Sequence, residues 1–432
     1  MSSYSQNCTA VHRETLLNIP YGKQTLPLSL RLQGELRWLL PGDAPTVDAG
    51  ETLRKRIERS SLKEIVGGKG EVAIVVDDDT RPPYARNLLP PLLDFLRENG
   101  VKKAKIIVAL GLHKPLNENG KRALFGNLPS WVEVRNHNPY HDLSPAGDIG
   151  GRTLYINRHF LSASLKVVIG DVELHQIFGY GGGAKSLVPG ISDAETITRL
   201  HALLVHPMAR PGILEGNPVQ EFLKEVYSRV EVDFAVQAVL NRKGEALCVH
   251  PGALREAFLR GMEVVDGVYK VPVKEPFDVL IASAGGHPRD IDLYQTQKVI
   301  NMARAGLKKG GRLILFSQCR NGIGPEGFVR WLDKGLNKAA VKTIAEERFE
   351  MGLHKLYLLA EGTQDMEIYL YSSIQPELVR RAFLTPLKVP EEVGDLIQGR
   401  KACLAVRQVG FVPFGAITLL LSPILVGEKL PE

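Results

Sequence analysis

The chain has 432 residues, too many for one ordinary core, so two or three domains are expected. Apolar residues at 44% against 24% charged residues fit a soluble globular protein and exclude a disordered one. The net charge of +6, from 54 basic and 48 acidic residues spread along the chain, suits a small anionic substrate but lacks the concentrated basic stripe of a nucleic-acid-binding protein.

In chain order, the first 65 residues mix short apolar runs with Pro/Gly turns (YGKQTLPLSLRL, LLPGDAP) and end in ETLRKRIERSSLKEIV, which predicts helix. EVAIVVDDDTRP is a β-branched run ending in acids, followed by the helical YARNLLPPLLDFLREN. AKIIVALG repeats the strand signal with His113 just beyond it, and VEVRNH, GRTLYIN and LKVVIGDVE add further strand candidates. SDAETITRLHALLVH predicts a helix, VEVDFAVQAVLN follows, and GALREAFLRGMEVVDGVY is helical again. A second series opens at FDVLIASAGG and runs through the helical LYQTQKVINMARAGLKKGG, the strand GRLILFS, and VKTIAEERF, KLYLLA and MEIYLYS. Continuous apolar strands alternating with helical patterns predict α/β sheets covered on both faces. The proline-bearing VPVKEP divides the series. An N-terminal α/β domain is expected over 1–271 and a C-terminal α/β domain over 277–407, flanking an active-site cleft, with a tail at 408–432 expected to pack back on the first domain.

Cys8, Cys248, Cys319 and Cys403 are far apart and read as free thiols of a reducing compartment. The amino terminus lacks the basic flank and apolar core of a secretory signal, and no charge-free stretch reaches membrane-spanning length, so the cytoplasm is expected and no membrane partner.

Ligands of open α/β sheets collect beyond the carboxyl ends of the strands, and four segments fall there: DDDTRP, LGLHKP, DVELHQIFGYGGGAK and GGHPRDIDLYQTQK. Arg81 could grip a carboxylate with two hydrogen bonds, or form a surface ion pair; Asp78 could cap the next helix or orient a ligand hydroxyl. His113 and His175 have the right chemistry for proton exchange near neutrality, although a lone loop histidine is more often structural or exposed; the glycine-rich loop and lysine that follow favour His175. Gly179, Gly181, Gly182 and Gly183 let the backbone turn sharply ahead of Lys185, but the spacing is neither that of a P-loop nor GxGxxG, so only a single phosphate on the loop amides is in prospect. His201, sixteen residues after Lys185, is a candidate ligand for a borderline metal, with His206 as a rival. Tyr294 and Lys298 share a helix face with Gln295 beside them, so Lys298 could attract a carboxylate or simply lie over the tyrosine ring. His354-Lys355 reads as a turn entering a strand.

Taken in order and at their spacing, DDDTRP, GLHKP, HQIFGYGGGAKSLVPG, DIDLYQTQK and GLHK resemble the nickel-dependent lactate racemase family and its wider group of 2-hydroxyacid racemases and epimerases, from about residue 21 to the carboxyl-terminal region. That resemblance implies two α/β domains around a cleft and a nickel pyridinium-3,5-bisthiocarboxylic acid mononucleotide, a pincer cofactor joined to Lys185 through a thioamide, with His201 on the metal. It implies His113 and His175 as the proton-handling pair, and Arg81 and Lys298 on the substrate, with Tyr294 and Gln295 nearby. It places Asp78 in the Asp-Thr-Arg motif and Gly181, Gly182 and Gly183 against the cofactor, and it implies cofactor-biosynthesis proteins as partners. The chain departs from the family pattern at Leu174, where proline is common, and at Gly181, where serine opens the glycine run. An acid, Asp79, is added beside the motif.

The α-hydrogen of a 2-hydroxyacid is a poor proton, because its loss places negative charge beside a carboxylate. Leaving as hydride while a histidine takes the hydroxyl proton avoids that carbanion, and return to the other face inverts the centre. Two histidines then provide one base for each enantiomer, and the cofactor carries the hydride. The alternatives are a redox or hydrolytic enzyme using another cofactor on this scaffold, or a non-catalytic cofactor-binding protein. The substrate could be lactate, malate, an aromatic hydroxyacid or a sugar acid.

Overall fold

A computed structural model describes residues 13–32, 36–398 and 408–422, and these fall into two compact units. One unit is Gly42–Tyr269; the other joins Met1–Pro41 to Lys270–Glu432.

The Gly42–Tyr269 unit is built on a six-stranded sheet in the order Ala246–Gly252, Phe234–Leu240, Leu165–Asp171, Glu71–Asp77, Lys103–Ala109, Val132–Asn136. All neighbours are parallel except the first pair. Val72 to Val76 and Val167 to Ile169 are fully buried, as continuous β-branched strands covered on both faces must be. The helices Ala49–Ile57 and Ala85–Glu98 pack Leu53, Ile57, Leu88, Leu92 and Leu96 into the same core. Successive connections leave Glu71–Asp77 toward one edge and Leu165–Asp171 toward the other. The strand order therefore reverses between these two, and the crevice at their carboxyl ends is the natural ligand position.

The second unit carries an all-parallel sheet in the order Thr385–Leu387, Met366–Tyr371, Leu307–Phe316, Phe277–Ser283, Val409–Val412, Leu36–Trp38. The expected boundaries change here. Leu36–Trp38 pairs with Val409–Phe411, and the hairpin Arg13–Tyr21/Gln24–Leu32 buries Leu17, Ile19, Leu28 and Leu30 in this unit's core. The described residues before Gly42 thus belong to the C-terminal unit rather than to a domain over 1–271. The tail expected to return to the N-terminal domain instead supplies an interior strand of the second sheet, because Gly410 and Phe411 fit between Leu36–Trp38 and Phe277–Ser283. Leu419–Leu421 pairs with Lys270–Pro272 in the same unit.

A further correction concerns His354-Lys355. They lie in a helix, Leu353–Gly362, not in a turn entering a strand. Every residue from Leu353 to Ala360 is buried, so the apolar run has no period by which helix and strand differ. Cys248 and Cys319 are free thiols, as expected; Cys8 and Cys403 lie outside the described residues. Among the described residues no helix is long and apolar enough to cross a membrane.

Candidate active site

Three of the four strand-end segments meet at the crevice of the Gly42–Tyr269 unit. Glu71–Asp77 runs directly into Asp78, whose side chain is 4% exposed and serves two partners. Its Oδ1 accepts from the Thr80 amide at 3.1 Å and the Thr80 hydroxyl at 2.5 Å, which closes the Asp-Thr-Arg turn. Its Oδ2 lies 2.5 Å from His113 Nδ1. Asp78 caps this turn and not the following helix, whose amino end has no side-chain cap. Burial works against its ionisation, but the His113 contact and the Thr80 hydrogen bonds outweigh that and hold it below the ordinary aspartate range.

The turn aims Arg81 across to the neighbouring strand end. Its Nη2 is 2.9 Å from Glu173 Oε1 and its Nε is 3.7 Å from Asp171 Oδ1, with the side chain 13% exposed, so it is no surface ion pair. Asp171, Glu173 and His175 alternate along the strand end that carries Val172 and Leu174 on its other side, which is how a two-residue period brings three polar groups to one face. Burial first, and then the charge of Glu173, pushes Asp171 up to about 8 despite Arg81.

Lys185 follows in a short 3₁₀ turn, Gly183–Ser186. The glycines before it are there for protein packing. A side chain on Gly183 (φ +60°) would meet the Tyr227 hydroxyl, and one on Gly182 (φ +94°) would meet the Asp171 carbonyl. The Gly183 amide donates to Gln237 Oε1 at 2.8 Å and the Ala184 amide to the Tyr227 hydroxyl at 3.0 Å. Those two amides, which the glycine run suggested for a phosphate, therefore have protein acceptors. Lys185 is half-buried in the field of Arg81, Asp77, Glu173 and Asp171. Burial, and next the positive charge of Arg81, lowers its pKa from the usual lysine value against the pull of Asp77, Glu173 and Asp171.

His201 stands in the last turn of the helix Ala194–Ala202, which Asp193 caps by accepting from the Thr196 amide at 2.9 Å. Its Nδ1 is 2.8 Å from the Ile197 carbonyl, so Nδ1 carries the proton and Nε2 the lone pair. Burial, helped by Lys185 and His113, holds the ring neutral by lowering its pKa to about 4. The Phe178 ring packs against both His175 (4.5 Å between centroids) and His201 (5.5 Å). Among the described residues no group of three or more His, Cys, Asp or Glu could hold a metal alone, so a metal on His201 would take its remaining ligands from a bound group. A lysine whose pKa is lowered and a histidine with Nε2 unprotonated fit such a group, one by covalent attachment and the other by ligation.

Tyr294, Gln295 and Lys298 belong to the other unit, in the helix Leu293–Ala303, whose amino end Asp292 caps through the Gln295 amide at 2.8 Å. They have neighbours that the sequence reading missed. Lys355 is 1% exposed, with its Nζ 3.1 Å from Gln297 Oε1 and 4.5 Å from the centre of the Tyr294 ring, so Lys355 places an amine over that ring. His354 Nδ1 accepts from the Gly352 amide at 3.3 Å, which leaves Nε2–H to meet the Tyr294 hydroxyl oxygen at 3.3 Å.

Two family models match the chain in tandem: the lactate racemase N-terminal domain over residues 21–212 and the lactate racemase C-terminal domain over residues 273–352. The lactate racemase of Thermoanaerobacterium thermosaccharolyticum is 29% identical over 397 residues, 86% of this chain and 92% of that protein. The lactate racemase of Lactiplantibacillus plantarum is 27% identical over 423 residues, covering 92% and 98% of the two chains. The solved lactate racemase apoprotein of T. thermosaccharolyticum superposes with a TM-score of 0.85 at 26% identity, covering 94% of this chain and 100% of that one. A Thermotoga maritima protein of 17% identity shares the fold, with a TM-score of 0.66 over 89% of this chain and 100% of its own. The chain therefore belongs to the lactate racemase family and is an enzyme that racemises or epimerises hydroxy acids.

Proposed function

We propose that this enzyme inverts C2 of a 2-hydroxycarboxylic acid by reversible loss of hydride, with Lys185 carrying a nickel-pincer nucleotide through a covalent bond and His201 Nε2 ligating its metal. The observation that carries the reading is the meeting, at one strand-order reversal, of a lysine with a depressed pKa, a buried arginine and an Asp-backed histidine. When bound, such a group supplies reversible hydride acceptance.

The protein's share is binding and proton handling. Arg81, paired with Glu173 at 2.9 Å, presents a guanidinium to the substrate carboxylate, where two hydrogen bonds would fix orientation as well as charge. Ionised Asp78 accepts from His113 Nδ1 and leaves Nε2 to take the hydroxyl proton, and His175 is the second group proposed to handle it. Tyr294, Gln295 and Lys298 are further proposed substrate-binding residues, with the Tyr294 hydroxyl 3.3 Å from His354 Nε2. Gly181 and Gly182 are proposed cofactor neighbours. Gly183 shares that assignment through its position beside Lys185. The cofactor-biosynthesis proteins are the proposed partners.

The test is co-production with those biosynthesis proteins followed by intact-mass analysis. The wild type is expected to gain one lysine adduct with nickel, and Lys185→Ala to gain none while keeping its fold. A full adduct on Lys185→Ala would overturn the assignment. Loss of optical rotation across small, acidic, aromatic and polyhydroxy 2-hydroxyacids then identifies the substrate.

A further inference from the structure

The helix Leu353–Gly362 buries every residue from Leu353 to Ala360, and one of these is a lysine. Lys355 has Gln297 Oε1 at 3.1 Å from its amine and the centre of the Tyr294 ring at 4.5 Å. A neutral amine has two N–H groups, and an amide oxygen and a ring face match that number; an ammonium would have a third. Burial first, and next the charge of Lys298, lowers its pKa well below the lysine value, against the pull of Asp292. Gln297 is itself fully buried, and its Nε2 donates to Asn301 Oδ1 at 3.3 Å, so its Oε1 is the atom left for Lys355.

Such a pair is a poor stabiliser. Ordering and desolvating a long amine takes free energy that one amide hydrogen bond returns only in part, whereas an unbranched apolar chain would fill the space without that cost. A residue that breaks the local rule inside a run of buried positions points to a task other than stability.

The contacts of Tyr294 show what that task is. The Tyr294 amide donates to the Ile323 carbonyl at 3.1 Å, and Gly324 (φ +122°) comes so near that a Cβ there would lie 2.7 Å from the Tyr294 Cβ. The Phe328 ring crosses the tyrosine ring steeply at 6.0 Å between centroids, and the hydroxyl lies 3.3 Å from His354 Nε2. Backbone, Cβ, ring and hydroxyl thus each have a close neighbour, and Lys355 supplies the polar contact on the ring face.

We propose that Lys355 is a positioning residue for the reaction: its buried amine, tied to Gln297 and set over the Tyr294 ring, keeps the Tyr294 hydroxyl in one place for the substrate. This rests on the reading of Tyr294 as a substrate-binding group. Lys355 acts through the tyrosine and exchanges no proton.

The first test uses apoprotein in which both members of the pair are made apolar, Lys355→Met with Gln297→Met, so that no buried amide oxygen is left without a donor. This variant is expected to unfold in urea at or above the wild-type midpoint at pH 8. Its crystal structure is expected to show the Tyr294 ring displaced, with the hydroxyl out of hydrogen-bond reach of His354 Nε2. A midpoint below wild type would make the amine a structural group, and a ring that stays in place would leave it nothing to position; either result overturns the proposal. These measurements need neither cofactor nor turnover.

The second test uses cofactor-loaded enzyme and reads turnover as the change in optical rotation of L-lactate, L-malate, L-mandelate and D-gluconate. Lys355→Met and Tyr294→Phe are each expected to lose about tenfold in kcat/KM, the scale of one hydrogen bond. Combined, they are expected to lose no more than Tyr294→Phe alone, because the amine then has no hydroxyl to place. Losses that multiply to about 100-fold would overturn the proposal, as would a Lys355→Met enzyme as fast as wild type. A Tyr294→Phe enzyme as fast as wild type would refute the reading of Tyr294 instead, and a loaded wild type that changes no rotation would refute the racemase reading.

Discussion

Gly183 is where the geometry of the lysine turn can be measured. Its φ of +60° is in the left-handed region, where an L side chain costs about 1–2 kcal/mol. A Cβ there would also lie 2.3 Å from the Tyr227 hydroxyl and 2.9 Å from the Phe258 ring, in a packed site where overpacking adds about 1–3 kcal/mol. Gly183→Ala is therefore expected to destabilise the chain by about 2–5 kcal/mol. Gly68 supplies the control. Its φ is +76° and nothing lies within 4 Å of its Cβ position, so Gly68→Ala carries only the backbone part, about 1–2 kcal/mol. Removing the obstructing oxygen with Tyr227→Phe should restore about 1 kcal/mol in the Gly183→Ala background, although alone it costs about that much by depriving the Ala184 amide of its acceptor. Urea-unfolding midpoints of the four variants give the comparison. The packing argument is refuted if Gly183→Ala and Gly68→Ala agree within about 0.5 kcal/mol, or if the double variant is simply the sum of its parts.

Two further outcomes are read from pH. His137 is buried, with Nε2 donating to the Ser192 carbonyl at 2.9 Å and Nδ1 accepting from Asn157, and burial lowers its pKa to about 4. The unfolded chain protonates this ring near 6.5 and the folded chain only near 4, so stability should fall as pH drops through that window, by roughly 3 kcal/mol at about 1.36 kcal/mol per pKa unit. His137→Gln should flatten the urea midpoint between pH 7 and 4, and an unchanged slope would refute it. Lys355 sits well below the lysine range because of burial and then Lys298, so the unfolded state binds the proton more tightly and the buried amine weakens the fold as pH decreases. Lys355→Met should therefore gain stability over wild type, by a margin that widens from pH 10 to pH 7; a variant less stable at every pH would mean that the amine is buried charged.

The sequence foretells the position of the site better than its wiring, for physical reasons that particular residues show. Continuous apolar strands announce a covered parallel sheet, and polar residues just past their ends can only be at its carboxyl edge, so Asp78, Arg81, His113 and Lys185 were legible. Asp171 and Glu173 were legible too, had the alternation through His175 been followed, since period two puts all three on one side. The partner of Leu36–Trp38 was not, because its pairing with Val409–Phe411 spans almost the whole chain and leaves no local signal. Least legible is the backbone contact of His175. Its Nδ1 faces two backbone amides, those of Ile177 and Phe178, and every residue type but proline offers an amide. An apolar pair of letters thus helps to hold the histidine beside it. The polar contribution comes from the turn they form, and that turn is held by Asn217 and Gln220 some forty residues away.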